Sequence, residues 1–163
     1  MPAARVRRLT AAVLTTAGAV VAALALTTTG ATGSDPARVG HDWIAVKKTD
    51  TQPRTLRAGN SWTVYMTLHE SENGKPGRRI GDASTRCSAV EITREGAITQ
   101  CQRVFRTRQG NLVTTAMLDR FGPGPYTGVA AVAGGTGAYR HASGEARLTI
   151  DGERLTVRAD LDG

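Results

Sequence analysis

Three ionisable residues in strand-like segments are the chain's candidates for catalysis. Glu91 lies within SAVEITR, Arg103 within CQRVFRT and Tyr65 within SWTVYMTLH. A carboxylate and a guanidinium that face one cavity could orient the polar end of a substrate or act as acid and base. Charged strand residues usually face solvent, so an outer position for Glu91 and Arg103 is the alternative reading.

Other common catalytic patterns do not occur in the sequence. There is no G-x-S-x-G elbow, and no Ser, His and Asp stand in a triad context. His41, His69 and His141 are far apart and lack the close spacing of a metal-binding helix or finger. We therefore expect neither a metal ion nor a cofactor.

A glycine-rich stretch, AVAGGTGAYRHASG over residues 131–144, could be either a phosphate-binding loop or a turn between strands. A dinucleotide loop needs a strand, a glycine turn and a helix whose N-terminus faces the phosphates. The spacing G-x-G-x-x-G from Gly135 and Gly137 would require glycine at the position of Arg140, and the following residues alternate as a strand does. No Gly-Lys-Ser/Thr is present either. The stretch therefore predicts a turn between two strands and no nucleotide.

Two cysteines frame the segment CSAVEITREGAITQC, from Cys87 to Cys101. An even pair in an exported chain favours a disulfide, and free buried thiols or a reactive thiolate are the alternatives. Arg94 and Gly96 lie at the centre, where a short hairpin turn is expected. Pairing that is symmetric about Arg94 puts the two cysteines directly opposite each other, near bonding range, whereas a shift of two residues puts them diagonally.

The elements that must position these residues are short strands. In SWTVYMTLH the apolar side chains of Trp62, Val64, Met66 and Leu68 share one face, which we expect to line the interior. Tyr65 and His69 share the other face, which makes an inward Tyr65 the less supported arrangement.

About eight such strands follow one another with tight turns, and no segment has a helical apolar stripe. This spacing predicts an all-β fold, either a sandwich or, as favoured here, an eight-stranded antiparallel up-and-down β-barrel. The predicted strands are 43–49, 61–69, the two arms of the 87–101 hairpin with the second continuing through 101–107, then 112–118, 127–133, 142–150 and 154–161.

The first 33 residues differ from the rest. Arg5, Arg7 and Arg8 precede an apolar stretch from Leu9 to Thr29 and then small residues, the pattern of an export signal cleaved before Ser34. An uncleaved membrane anchor is the alternative, which the many Thr and Gly residues disfavour. The twin arginine leaves both the Sec and the Tat route open. We expect a signal peptide at 1–33, a flexible linker at 34–41, one barrel domain at 42–163, and a secreted protein.

The positive charge of the whole chain is partly a property of this leader. The leader holds three of the 21 basic residues and none of the 14 acidic ones, so the formal charge falls from +7 to +4 without it. The remaining basic residues are scattered, with few aromatic residues among them. Stacking platforms for nucleic acid are therefore not expected, and we predict no nucleic-acid partner. A homo-oligomer is left open.

The segment AVAGGTGAYRHASGEARL resembles the signature of the allene oxide cyclase-like barrels and the related dirigent proteins. The motif positions are Gly134, Gly135, Thr136, Gly137 and Tyr139, and the likeness extends loosely over residues 42–163. The resemblance implies an eight-stranded antiparallel barrel with an interior cavity. Members guide the cyclisation or coupling of reactive apolar small molecules, and bacterial relatives act on polyketides.

Two departures argue against the plant activity. Lys47 and Lys48 stand where the plant cyclases place an acidic residue, and Ser143 stands where an arginine is common. The predicted export favours a barrel that binds an apolar small molecule without catalysis, because biosynthetic cyclases usually work beside cytoplasmic partners. The alternative is a cyclase-like or dirigent-like enzyme that controls the conformation of a reactive apolar, polyketide-like or lipid-like substrate.

Overall fold

A computed structural model describes residues 39–162, which form a closed antiparallel barrel of eight strands. The all-β up-and-down barrel predicted from the sequence is confirmed. Each strand pairs with its neighbours in the chain, and β1 pairs with β8 to close the ring. The strands are β1 Val39–Asp50, β2 Ser61–Glu72, β3 Lys75–Ile92, β4 Gly96–Thr107, β5 Gly110–Phe121, β6 Tyr126–Gly135, β7 Ser143–Asp151 and β8 Arg154–Asp162.

The predicted signal peptide at 1–33 and residues 34–38 of the predicted linker lie outside the described residues. The last three linker residues do not form a linker, because Val39, Gly40 and His41 pair with Leu161, Asp160 and Ala159 of β8. Between residues 39 and 162, no helix is long and apolar enough to cross a membrane.

The barrel has two ends, called the mouth and the closed end. The mouth is formed by the long β1–β2 connection at 51–60 and by the turns at 93–95, 122–125 and 152–153. The closed end is formed by the turns at 73–74 and 108–109 and by the β6–β7 connection at 136–142.

The β2–β3 hairpin is longer than its turn-rich sequence predicts. Pro76 and Gly77 lie in β3 and only Asn73 and Gly74 form the turn, with positive φ angles of 52° and 74°. Two consecutive residues with positive φ match the twist of the flanking strands, so the ladder continues to the Glu72–Lys75 pair.

Alternation along each strand decides which side chains fill the interior. On β4, the buried residues are Ala97, Thr99, Cys101, Arg103 and Phe105. Large side chains fill the half of the barrel next to the closed end, in a cluster that includes Trp43, Leu68, Phe105, Leu112, Tyr139 and Val157. A smaller cluster of Trp62, Cys87, Ala89 and Cys101 lies in the other half.

The cysteines face each other across β3 and β4. Cys87 and Cys101 are paired in register with Cα atoms 4.1 Å apart, and their sulfurs are bonded. Of the two registers considered from the sequence, the structure has the directly opposed one. The disulfide links β3 to β4 on the mouth side of Arg103.

Candidate functional site

A cavity of about 70 Å³ lies in the mouth half of the barrel. Its walls are mostly apolar because strand alternation turns the hydrophobic residues of six strands inward. The apolar wall consists of Trp62, Val64, Met66, Cys87, Cys101, Leu118, Ile150 and Leu155. Trp43, Phe105 and Tyr139 fill the barrel below it, so the cavity is closed on that side.

Arg103 forms the floor of this cavity. Its side chain is only 1% exposed, which makes it the largest fully buried side chain among residues 39–162. It follows Cys101 on the inner face of β4 and lies directly opposite Thr85 of β3 and Thr114 of β5. Three polar side chains thus form one row across three neighbouring strands.

The row is not hydrogen-bonded within the described part of the chain. No group there accepts from the Nε, Nη1 or Nη2 of Arg103, and the hydroxyls of Thr85 and Thr114 also lack partners. Buried polar atoms in folded proteins are nearly always hydrogen-bonded, and a buried charge without a counterion is costly. Burial lowers the pKa of Arg103 to about 10, and the positive charge of Arg120 adds to this. The guanidinium therefore remains charged at neutral pH.

The carboxylates that line the cavity pair with Lys47 at the mouth and not with Arg103. Lys47 Nζ lies 3.3 Å from Asp50 Oδ2 and 2.9 Å from Glu153 Oε1. The hydrogen bond to Glu153 is the main reason that the pKa of Lys47 is raised. The two carboxylates that line the cavity are thus both bound to one lysine on the rim.

Arg120 is the second guanidinium that lines the cavity. Its Nη1 donates to Gln52 Oε1 at 2.9 Å. Its Cζ lies 5.9 Å from the centre of the Trp62 ring and 5.1 Å from that of Tyr126, close enough for cation–π attraction. These contacts hold Arg120 beside the mouth, where it adds positive charge above Arg103.

The four apolar residues predicted to line the interior all face inward, but they differ in surroundings. Trp62, Val64 and Met66 contact the cavity. Leu68 is fully buried in the solid cluster at the closed end. Position along the strand separates them, since the filled half begins beyond Met66.

The three catalytic candidates are not brought together. Glu91 is exposed, because the β3–β4 register shifts between Ala89 and Glu91 and interrupts the inward alternation of β3. Tyr65 is 38% exposed on the outer surface, where its hydroxyl lies 3.4 Å from Asp82 Oδ2. Arg103 alone reaches the cavity, so a site shared by Glu91 and Arg103 is not formed.

The glycine motif lies at the opposite end of the barrel from the cavity. Tyr139 is buried there against Trp43, with ring centres 6.2 Å apart, and its hydroxyl lies 3.2 Å from Gln109 Oε1. Gly137 has φ of 61°, and a Cβ atom on it would overlap the Gln109 carbonyl. Gly134 and Gly135 end β6, and Thr136 begins the connection that contains Tyr139. The motif closes the barrel and does not contact the cavity.

The sequence did not lead us to predict that Arg120 and Lys47 line the cavity, and it did not decide whether Arg103 faces the interior or the solvent. A usable pattern was present: Arg103 shares strand parity with Cys101, and Arg120 shares it with Leu118. Once the cysteines are taken as facing inward, the same face must contain Arg103.

Comparisons with known proteins find the fold but no sequence family. No protein-family model and no curated protein match this chain. A solved structure of a pyocyanin demethylase matches with a TM-score of 0.62 and 15% identity, over 76% of this chain and 99% of that one.

A second match is to a structure described as a nonspecific heme-binding cyclase that catalyses a [4 + 2] cycloaddition during neoabyssomicin biosynthesis. Its TM-score is 0.55 at 13% identity, over 80% of this chain and 66% of that one. At these identities the likeness is one of fold: this chain shares the barrel architecture of both proteins.

Proposed function

We propose that this chain is an exported barrel of the allene oxide cyclase-like and dirigent-like group, and that its cavity binds an apolar small molecule without chemical change. The observation that supports this most directly is the cavity, walled by apolar side chains and solid below. Concave, mostly apolar sites with a few polar groups are typical of small-molecule binding.

The polar groups around the cavity favour binding over catalysis. Of the three catalytic candidates only Arg103 lines the cavity, and an arginine does not exchange protons readily near neutral pH. Asp50 and Glu153, the carboxylates at the rim, are bound to Lys47. This arrangement provides orientation for a ligand and no free acid–base pair.

Tryptophan fluorescence tests the proposal, because the chain has two tryptophans in different places. Trp62 lines the cavity, whereas Trp43 is packed in the closed half. We expect bromobenzene, a small neutral quencher, to quench the fluorescence saturably through Trp62. The saturable phase should disappear in Trp62→Phe and persist in Trp43→Phe.

Quenching that rises linearly with bromobenzene in all three proteins would mean collision in solution and no binding site. Native mass spectrometry with organic extraction of the purified protein provides an independent measurement. A ligand recovered from the wild type would identify the natural occupant.

A cyclase-like enzyme is the second candidate. The fold is shared with proteins named as a demethylase and as a cyclase, and a barrel can promote cyclisation by folding a substrate into a reactive conformer and excluding water. Such catalysis needs few polar residues. Incubation with a linear polyene that carries a diene and a dienophile separates the candidates, since a binding protein returns it unchanged and a cyclase yields a product of equal mass.

Export is tested separately. A chain beginning at Ser34 should be found outside the cytoplasm when the full sequence is expressed in a bacterial host. Retention of the full-length mass in the cytoplasm or membrane would contradict a cleaved signal.

A further inference from the structure

The floor of the cavity contains a buried positive charge and buried hydrogen-bond donors that the described protein groups do not use, and a ligand reaches these atoms only when the side chains above them move apart. Arg103 is 1% exposed, and its three nitrogens have no acceptor within residues 39–162. The Thr85 hydroxyl, which also lines the cavity, is equally without a partner. Guanidinium N–H groups and a hydroxyl beside them form a donor set suited to an anion.

The charged side chains around the cavity floor also favour the binding of an anion. Arg120 adds a like charge near Arg103, and the rim carboxylates are bound to Lys47. Four cationic and two anionic side chains line the cavity: Lys47, Arg103, Arg120 and Arg154 against Asp50 and Glu153. The potential inside is therefore positive, and the low dielectric of an apolar enclosure strengthens it.

We propose that Arg103 and Thr85 bind the carboxylate of a monocarboxylic acid whose aromatic or short aliphatic body lies against Trp62, Met66 and Leu118. This rests on the proposed function and names its ligand class. A guanidinium accepts a carboxylate through two parallel hydrogen bonds. The Thr85 hydroxyl donates a further one.

The size and chemistry of the cavity favour a monocarboxylate over an inorganic anion. A volume of about 70 Å³ has room for about five to seven water-sized groups, at roughly 10–15 Å³ each. That is enough for a carboxylate and a few carbon atoms, and a longer ligand must extend through the mouth. Apolar walls favour a ligand with one charged end, whereas phosphate and sulfate would leave oxygens facing hydrocarbon.

The test compares acids with neutral molecules of the same shape. Calorimetric titrations of the full chain at neutral pH and low salt use benzoate against benzamide, and hexanoate against 1-hexanol. We expect each acid to bind at least tenfold more tightly than its neutral counterpart. Inorganic phosphate and sulfate, added as competitors, should displace benzoate only weakly.

Variants assign the preference to residues. In Arg103→Met, which removes the charge and keeps an unbranched side chain, the tenfold preference should disappear while neutral molecules still bind. Arg106→Met is the matched control, because Arg106 lies on the exposed face of the same strand and pairs with Asp82. It should keep the full preference.

Thr85→Val provides a second test that leaves the guanidinium in place. It removes a hydroxyl that has no hydrogen-bond partner in the described structure, so the fold should be preserved. We expect a loss of several-fold in the affinity for benzoate and no change for benzamide.

The possible failures are distinguishable. Equal binding of acids and neutral molecules in the wild type, or a preference that survives Arg103→Met, would overturn the carboxylate site and leave the apolar cavity function standing. Displacement of benzoate by phosphate or sulfate at equal concentration would show an unspecific anion site instead. Binding of none of the four molecules would reject the proposed function as well.

Discussion

At the residue scale, Arg103 lowers the stability of the unliganded fold but, on our proposal, binds the ligand. A buried arginine without a counterion destabilises the unliganded fold, whereas a ligand that supplies the counterion removes that cost. Sites that bind ligands often retain such locally unfavourable arrangements. The same side chain is thus the least favourable residue of the empty barrel and, on our proposal, the main determinant of its ligand.

Arg103→Met should therefore stabilise the ligand-free protein. Because burial lowers the pKa of Arg103 to about 10, the unfolded chain holds this proton more tightly than the folded one does. The resulting penalty is fully present below about pH 10 and is relieved as the pH rises above that value toward the pKa of the unfolded side chain. At neutral pH we expect the free energy of unfolding to rise by about 1–4 kcal/mol on removing the charge, measured by urea denaturation at unchanged m-value.

Arg106→Met is again the control, since its exposed ion pair with Asp82 should contribute only about 0–1 kcal/mol. Destabilisation of Arg103→Met at neutral pH without ligand would show that Arg103 has a stabilising partner within the protein. That result would also remove the reason for an external anion.

At the scale of elements, the β3–β4 hairpin carries the disulfide and the cavity floor together. Cys101 and Arg103 are successive inward residues of β4, and their partners on β3 are Cys87 and Thr85 respectively. The bridge therefore holds the two strands that present the proposed carboxylate donors. Its contribution should appear in stability and in binding.

Replacing both Cys87 and Cys101 by alanine should lower the free energy of unfolding by about 2–4 kcal/mol, because a loop of roughly 15 residues is no longer closed in the unfolded chain. Buried sulfur atoms are also lost from the cavity wall. The measurement is urea denaturation of the double variant beside wild type with and without reductant. A denaturation midpoint that reduction leaves unchanged, with two alkylatable thiols in non-reduced denatured protein, would contradict the bridge.

Elements also show where sequence reasoning stops. The even spacing of short alternating strands such as SWTVYMTLH was enough to favour the barrel, and the spacing of the cysteines was enough to favour a cross-strand bridge, because both depend on the period of a strand. The choice between the opposed and the diagonal register was left open. The exposed position of Glu91 could not be predicted from the sequence, because it depends on a shift in the β3–β4 register beside Ala89. Leu68 and Met66 share a face, and the packing of Phe105 from β4 and of Tyr139 from the β6–β7 connection separates the filled half from the cavity.

At the scale of the whole molecule, the barrel is closed, but the seams between neighbouring strands differ in how regularly the strands pair. β7 and β8 pair without interruption from Ser143–Asp162 to Asp151–Arg154. β5 and β6 are registered only at Leu112–Gly135, Thr114–Val132 and Thr115–Ala131. The mouth half of the β5–β6 seam, residues 116–121 against 126–130, therefore lacks a regular ladder.

This seam borders the cavity through Leu118 and Arg120. Irregular strand pairing lowers the cost of local opening, so we expect the β5–β6 seam to be where the mouth widens to admit a ligand larger than the cavity. The solid closed half would remain intact during such opening.

Hydrogen–deuterium exchange measured by mass spectrometry tests this division of the barrel. We expect peptides covering residues 116–121 and 126–130 to exchange well before those covering 143–151 and 154–162, since the latter ladder is continuous. Met117 and Val129, which are 60% and 53% exposed, lie in the fast segments. Benzoate at saturating concentration should slow exchange at 116–121 and leave the β7–β8 peptides unchanged, because the ring of the bound acid is proposed to lie against Leu118. Equal protection of the two seams without ligand would show that the barrel opens only as a whole, and entry would then have to occur through the loops of the mouth.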